Sequence, residues 1–125
     1  MFSVLADKIS DSELEVMTVL WRAGEALPVN IIRETLQHER GWEATTIKTL
    51  IGRLTAKGVL LQEKRGSYYY TPLISESEYN EWAAGNLIQK LFNGSAKELL
   101  SALVRSDELT KSDIDELRRM FNEED

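Results

Sequence analysis

The sequence contains no cysteine, only one histidine and only two prolines in 125 residues. Without cysteine the chain can form neither disulfides nor thiolate metal sites, and it has no thiol nucleophile. The single histidine leaves no histidine-based metal cluster, and neither a nucleophile–base pair nor a glycine-rich phosphate loop is present. We therefore predict a protein that is not an enzyme and that carries no metal or cofactor.

Long apolar runs are also missing. No stretch approaches the roughly 20 consecutive apolar residues of a membrane span, and the apolar run near the first residue is too short for a signal peptide. The composition, with 42% hydrophobic and 29% charged residues, is typical of one globular domain, alone or with an appendage. We expect a cytoplasmic protein without a membrane partner.

The charges are distributed unevenly along the chain, whose formal net charge is −6. Residues 1–73 carry nine Lys or Arg and nine Asp or Glu, whereas residues 74–125 carry six and twelve. Within residues 44–73, five basic residues stand against one acid, Glu63. Because fields in salt solution decay within about 8–10 Å, a locally basic surface can bind phosphate although the whole protein is acidic.

Helical periodicity and capping signals predict three helices in the first half of the chain. Ser10 and Glu13 form a capping box before the first helix, which is expected to end near Gly24. The second is expected to begin at Pro28 and to end near Gly41. The third runs from about residue 43 to residue 57 and is the one with unusual composition.

The third predicted helix has two contrasting faces. Its apolar stripe comprises Ile47, Leu50, Ile51 and Leu54. The opposite face is small, hydroxylated and basic: Thr45, Thr49, Gly52 and Ala56, flanked by Lys48 and Arg53. Because β-branched residues lose rotamer freedom in a helix, three threonines in the first two turns indicate a purpose other than stability.

Two β-prone runs, residues 59–64 and 68–73, flank a turn that contains Gly66 and predict a hairpin. Of its three consecutive tyrosines, we expect Tyr69 to lie nearest to the core. Three helices followed by a hairpin is the order of a winged helix-turn-helix. The predicted fold is mainly α with a small β-hairpin, and its first domain covers residues 1–73.

Residues 74–125 contain three further helical stretches, at about 75–92, 95–105 and 110–122. Residues 93–95 predict a break between the first two, and Thr110 and Asp113 predict a capping box at the beginning of the last. Their apolar positions are too numerous for so short a helical segment to bury alone. A second copy of the chain could cover the remainder. We therefore predict that residues 74–125 form a helical dimerisation domain and that the protein is a homodimer. The predicted seam between the two copies consists of Leu99, Leu103, Leu117 and Phe121.

A winged helix-turn-helix places its third helix in the major groove of DNA. Threonine there offers a hydroxyl to phosphates or base edges and a methyl to thymine, while Lys48 and Arg53 supply phosphate or guanine contacts. The wing near residues 64–68 would reach the neighbouring DNA backbone or minor groove. Its candidate residues are Lys64, Arg65, Ser67 and Tyr68.

Two alternatives stay open at this point. Thr45 or Thr46 near a helix start is also a common capping residue, and outward Lys and Arg are common on any solvated helix. A winged-helix protein-interaction module, with Thr45, Thr49 and Ala56 in a protein groove, is the alternative function.

Several runs together resemble the penicillinase-repressor family, which includes the methicillin-resistance and copper-transport repressors. The run WEATTIKTLIGRLTAKG matches the family pattern W-x-x-[TS]-T-[IV]-x-T-[LM]-[IL]-x-R-L-x-x-K-G, and ISDSELEVMTVLW, NIIRETL, YYYTP and DELTKSDIDELRRMF extend the similarity. The resemblance implies a homodimeric repressor that binds double-stranded operator palindromes with TACA/TGTA-like half-sites. The DNA-contacting positions that it implies on the third helix are Ala44, Thr45, Thr46, Lys48, Thr49 and Arg53.

Two departures from the family concern induction. Penicillinase-type repressors are inactivated by cleavage of an Asn-Phe bond in the penultimate helix, and the corresponding positions here are Ala102 and Leu103. Copper-responsive members carry Cys-x-Cys pairs, which this chain lacks. The signal that releases the DNA, whether a protease or a ligand, is therefore not indicated by the sequence.

Overall fold

The computed structural model describes residues 2–124. Contacts between Cα atoms divide the chain into two compact units, residues 1–83 and residues 84–125. This division lies later than the boundary expected between residues 73 and 74, because Tyr79 and Trp82 still pack against the first core. Trp21, Tyr79 and Trp82 form a chain of tilted ring contacts, with centroids 5.7 and 5.8 Å apart.

The first unit is a winged helix, as predicted. Its three antiparallel strands lie in the order β1-β3-β2. Sequence reasoning missed the short first helix and the first strand, which has only two residues. The elements are α1 (Phe2–Ala6), α2 (Asp11–Ala23), β1 (Leu27–Pro28), α3 (Val29–Arg40), α4 (Ala44–Ala56), β2 (Leu60–Arg65), β3 (Ser67–Pro72) and the beginning of α5 (Glu76–Lys90).

The predicted apolar stripe of α4 forms part of the core between α2, α3 and the sheet. Ile47, Leu50, Ile51 and Leu54 are each at most 5% exposed, which confirms the helical period. Gly41 separates α3 from α4 with φ of +68°, a left-handed conformation that favours glycine. The turn between these two helices therefore forms at little conformational cost.

The expectation that Tyr69 lies nearest to the core is wrong. Tyr70 is the buried tyrosine, at 7% exposure, and its hydroxyl accepts a hydrogen bond of 2.8 Å from Gln62. In the sheet Tyr70 pairs with Leu27 of β1. Because side chains alternate across a strand, this register places Tyr69 on the opposite face of the sheet. The register depends on β1, a strand too short to recognise in the sequence.

A buried carboxylate joins the beginning of α2 to the end of α4. Glu13 is 1% exposed; it completes the predicted capping box by accepting a 3.0 Å bond from the Ser10 N–H. Lys57 donates to both Glu13 oxygens, at 2.7 and 2.9 Å, and to the Lys8 carbonyl at 2.7 Å. Burial alone would raise the pKa of Glu13, but the bonds from Lys57 and Ser10 outweigh it and hold the pKa below its usual 4.5.

The second unit contains the end of α5, a 3₁₀ turn at Phe92–Gly94, α6 (Ala96–Arg105) and α7 (Lys111–Glu124). The predicted break at residues 93–95 and the capping box of Thr110 and Asp113 are both present. Ser95 caps α6 by accepting from the Glu98 N–H at 3.2 Å. None of residues 84–122 is buried, so this unit has no closed core of its own.

Replacing Glu13 by Gln is expected to lower the free energy of unfolding by about 1–3 kcal/mol at pH 7, because it removes the charge from the bonds with Lys57. The Lys57 side chain is 34% exposed, so the loss should be smaller than for a fully buried pair. Urea unfolding followed by tryptophan fluorescence measures it, since Trp21, Trp42 and Trp82 all lie in residues 1–83. As a control, Glu39→Gln breaks an exposed pair with Arg22 and should cost at most about 1 kcal/mol.

The same difference should depend on pH. Because the pKa of Glu13 is lower in the folded state than the usual 4.5, the stabilisation is complete above pH 4.5 and is lost as the pH falls through the folded value. The wild type and Glu13→Gln should therefore converge in stability at low pH. A constant difference from pH 7 to pH 3 would contradict the assigned ionisation.

Candidate nucleic-acid interface

The outer face of α4 is open to solvent and carries no acidic side chain. The exposed positions on it are Thr45, Thr46, Lys48, Thr49, Gly52, Arg53 and Ala56, and Ala44 is half-buried. Thr45, Thr46, Thr49 and Arg53, together with the edge of Leu50, line a shallow concavity of about 280 Å³. The structure thus brings together the residues predicted on this helix, and Thr46 belongs to the same surface.

The beginning of α4 has no side-chain cap. Glu43 occupies the N-cap position without a side-chain hydrogen bond to the helix, and the first turn contains no acid. Thr45 and Thr46 lie beyond the cap position, so the alternative that either one serves as the cap is wrong. The free N–H groups and the helix dipole make this end attractive to anions.

Thr49 has its hydroxyl proton already engaged. Its Oγ1 donates to the Thr45 carbonyl at 2.8 Å, which leaves only lone pairs for another partner. In this conformation Thr49 can accept a hydrogen bond but cannot donate one. Among base edges in the major groove, the matching donors are the amino groups of adenine and cytosine.

The predicted wing is the ribbon of β2 and β3, with Gly66 at its tip at φ of +80°. The register pairs Lys64 with Tyr68 and Arg65 with Ser67. Since side chains alternate along each strand, Lys64 and Tyr68 share one face of the ribbon, and Arg65 and Ser67 share the other. The four candidate residues of the wing are therefore exposed but divided between two faces.

Each cation of the wing lies over a tyrosine of the paired strand. The Lys64 ammonium is 5.9 Å from the centre of the Tyr68 ring, and the Arg65 guanidinium is 5.2 Å from that of Tyr69. Arg65 also donates to Glu63 at 3.0 Å. The two cations thus differ, because only Arg65 is held by a neighbouring acid.

Lys57 does not belong to the exposed basic surface, although it lies within the basic stretch of the sequence. Its ammonium has three N–H donors, and these meet Lys8 and the two oxygens of Glu13. Sequence reasoning missed this role of Lys57 because Glu13 is 44 residues away, beyond any local pattern. Four basic residues of the stretch remain exposed: Lys48, Arg53, Lys64 and Arg65.

Within residues 2–124, no group of three or more His, Asp and Glu side chains is placed to hold a metal ion. His38 is exposed near the end of α3. None of the helices described is both long and apolar enough to cross a bilayer.

The sequence profile of the penicillinase repressor family matches residues 9–123. The chain is 34% identical over 117 residues to the penicillinase repressor of Bacillus licheniformis, covering 93% of this chain and 91% of that protein. It is 35% identical over 116 residues to the methicillin resistance regulatory protein MecI of Mammaliicoccus sciuri, covering 92% and 94%.

Two solved structures are similar to the winged-helix unit. The DNA-binding domain of the repressor BlaI is 41% identical, with a TM-score of 0.53, over 58% of this chain and 88% of that domain. The monomeric form of Bacillus licheniformis BlaI in complex with the blaP half-operator is 42% identical, with a TM-score of 0.51, over 57% and 87%. The chain therefore belongs to the penicillinase repressor family of winged-helix, DNA-binding transcriptional repressors.

Proposed function

We propose that this protein is a homodimer that represses transcription by occupying a palindromic operator with TACA/TGTA-like half-sites. The observation that carries the proposal is the outer face of α4, which combines a helix beginning without a side-chain cap with hydroxyl and basic side chains and has no acid between Ala44 and Ala56. Occupancy alone blocks the promoter, so the mechanism needs no chemistry. We expect such a repressor to act in the cytoplasm.

Each winged helix would read one half-site through α4 in the major groove. Ala44, Thr45 and Thr46 lie in the first turn, the part of a recognition helix that approaches base edges. Thr49 would accept from an amino group of adenine or cytosine, and Lys48 and Arg53 would contact phosphates or guanine. The complex of the related BlaI monomer with a half-operator supports one winged helix per half-site.

The wing would contact the flanking backbone. Lys64 and Tyr68 share the face of the ribbon that has no acid, so they are the first candidates for a phosphate contact. Arg65 and Ser67 lie on the other face, where Glu63 competes with DNA for the guanidinium. Phosphate binding by Arg65 would therefore replace an ion pair that already exists.

Dimerisation is supported by the apolar side chains that the second unit leaves exposed. Leu100, Val104, Met120 and Phe121 are 39–67% exposed. The seam predicted from the sequence consists of Leu99, Leu103, Leu117 and Phe121, of which the first three are half-buried. A second copy that covers this surface would remove apolar area from water at about 25 cal/mol per Å².

Charge complementarity also supports a second copy as the occupant. One apolar groove on α6 is flanked by Lys97 and Arg105, and a second, along α7, is flanked by Asp113 and Glu116. A basic groove of one protomer can therefore face an acidic groove of its partner, which favours association of unlike grooves over like ones. Two winged helices held by such a dimer would match a two-fold symmetric operator.

Replacing Lys48 and Arg53 together by Ala is expected to weaken operator binding by about 2–4 kcal/mol. The number of phosphates neutralised, read from the salt slope, should fall by up to about four, two for each protomer of the dimer. Titration of labelled operator DNA at 50–200 mM salt measures both effects. A charge-matched control, Lys111→Ala with Arg119→Ala in α7, should bind like the wild type. Unchanged affinity of the α4 double variant would favour a winged-helix module that binds protein instead.

Glu63→Gln is expected to tighten operator binding by about 0.5–1 kcal/mol, because it releases Arg65 and removes a negative charge near the DNA. The gain should be smaller when Arg65 is also replaced by Ala, because only the removal of the negative charge then remains. The four proteins of this cycle can be compared in the same DNA titration. An equal gain with and without Arg65 would mean that Glu63 acts only as a distant charge.

Val104→Asp is expected to give monomers, because a second copy would bury the new charge without a partner. In the monomer the same position is 46% exposed, so water can solvate the carboxylate. Sedimentation equilibrium gives the mass, and circular dichroism shows whether the helices persist. The matched control is Asn122→Asp, which adds the same charge to an exposed position of α7. A stable dimer of Val104→Asp would place the interface elsewhere.

A further inference from the structure

We propose that Lys57 and Glu13 are the positioning pair of the recognition helix, and that Lys57 makes no contact with DNA. The inference rests on the proposed function, since it concerns how α4 is presented to an operator. It assigns to Lys57 a role opposite to the one that its place in the basic stretch suggests. The pair would set the affinity for the operator relative to other DNA.

The hydrogen bonds of Lys57 leave it no donor for a phosphate. Its ammonium is 2.7 and 2.9 Å from the two oxygens of Glu13 and 2.7 Å from the Lys8 carbonyl. A lysine ammonium has three N–H donors, and three acceptors surround this one. To reach DNA, Lys57 would have to break its hydrogen bonds to Glu13, which is 1% exposed. A buried charge left without a partner is costly.

The position of the pair explains why it would control geometry. Glu13 also accepts from the Ser10 N–H at 3.0 Å, and Ser10 accepts in turn from the Glu13 N–H at 3.2 Å. Lys57 is the C-cap residue of α4. One network therefore fixes the end of α4 to the beginning of α2 and to the segment that precedes it.

The apolar stripe of α4 cannot fix this geometry by itself. Hydrophobic burial is favourable but has no direction, so Ile47, Leu50, Ile51 and Leu54 permit small rotations and shifts along the helix axis. An ion pair with three short hydrogen bonds has defined directions. Contacts with base edges carry the sequence information and require such definition, whereas contacts with phosphates carry no sequence information.

The test compares Lys57→Met with Lys48→Met, which removes the same charge from an exposed position of the same helix. Binding to operator DNA and to a scrambled duplex is measured from 50 to 200 mM salt. For Lys57→Met we expect operator affinity to fall about tenfold, a change in the range of one lost base contact, while scrambled-duplex affinity and the salt slope stay at wild-type values. For Lys48→Met we expect weaker binding to both duplexes and a salt slope smaller by about two, one for each protomer of the dimer.

Glu13→Gln provides a second variant in which the cation itself is retained. If Lys57 positions α4, this variant binds the operator more weakly although it removes a negative charge. If Lys57 is a phosphate contact restrained by Glu13, the variant binds both duplexes more tightly and with a steeper salt slope. The two hypotheses thus predict changes of opposite sign, and each variant is assayed below its own unfolding temperature.

The outcomes separate this inference from the proposed function. A lower salt slope for Lys57→Met, tighter binding by Glu13→Gln, or unchanged operator affinity of both folded variants would overturn the positioning role. If the wild type instead binds operator and scrambled DNA equally, and Lys48→Met changes neither, the repressor proposal itself fails. Weaker operator binding by Lys57→Met and Glu13→Gln, with the slope preserved, would support the pair as a positioning device.

Discussion

The buried carboxylate of Glu13 is the constraint on which the winged helix depends most. A charge with 1% exposure persists in a protein interior only when every favourable contact to it is made. Here the contacts come from Ser10 at the beginning of α2 and from Lys57 at the end of α4. Satisfying one carboxylate therefore specifies how two helices, far apart in sequence, lie against each other. Apolar packing around the two helices adds stability, but it is compatible with many more relative positions of these helices.

The third helix of the motif, α4, has an inner face that is buried in the core and an outer face that is exposed and polar. Its inner stripe is buried with at most 5% exposure, while its outer face is made of small, hydroxylated and basic residues that contribute little to folding. Threonine in a helix costs a few tenths of a kcal/mol relative to alanine, and the bond from the Thr49 hydroxyl back to the Thr45 carbonyl does not offset that cost. The inner face thus stabilises a helix whose outer face remains available for DNA.

The two units differ in how completely they bury their apolar residues. The winged helix has a closed core, from Ala6 to Ile74, whereas none of residues 84–122 is buried. The charges change at an earlier point in the chain, because residues 1–73 are neutral and residues 74–125 carry the whole net charge of −6. An acidic, apolar unit without a core is suited to binding another copy and is repelled by DNA, while the locally basic α4 and wing belong to the other unit.

The sequence by itself determined the local features of this protein: the capping boxes at Ser10 and Thr110, the two faces of α4 and the glycine at the tip of the wing. Each follows from the spacing of a few neighbouring residues. Taken together, these local signals predict three helices followed by a hairpin, which is the order of a winged helix. Tertiary structure alone decided the burial of Tyr70 rather than Tyr69 and the pairing of Lys57 with Glu13. Both depend on contacts between distant segments, for which local spacing contains no information.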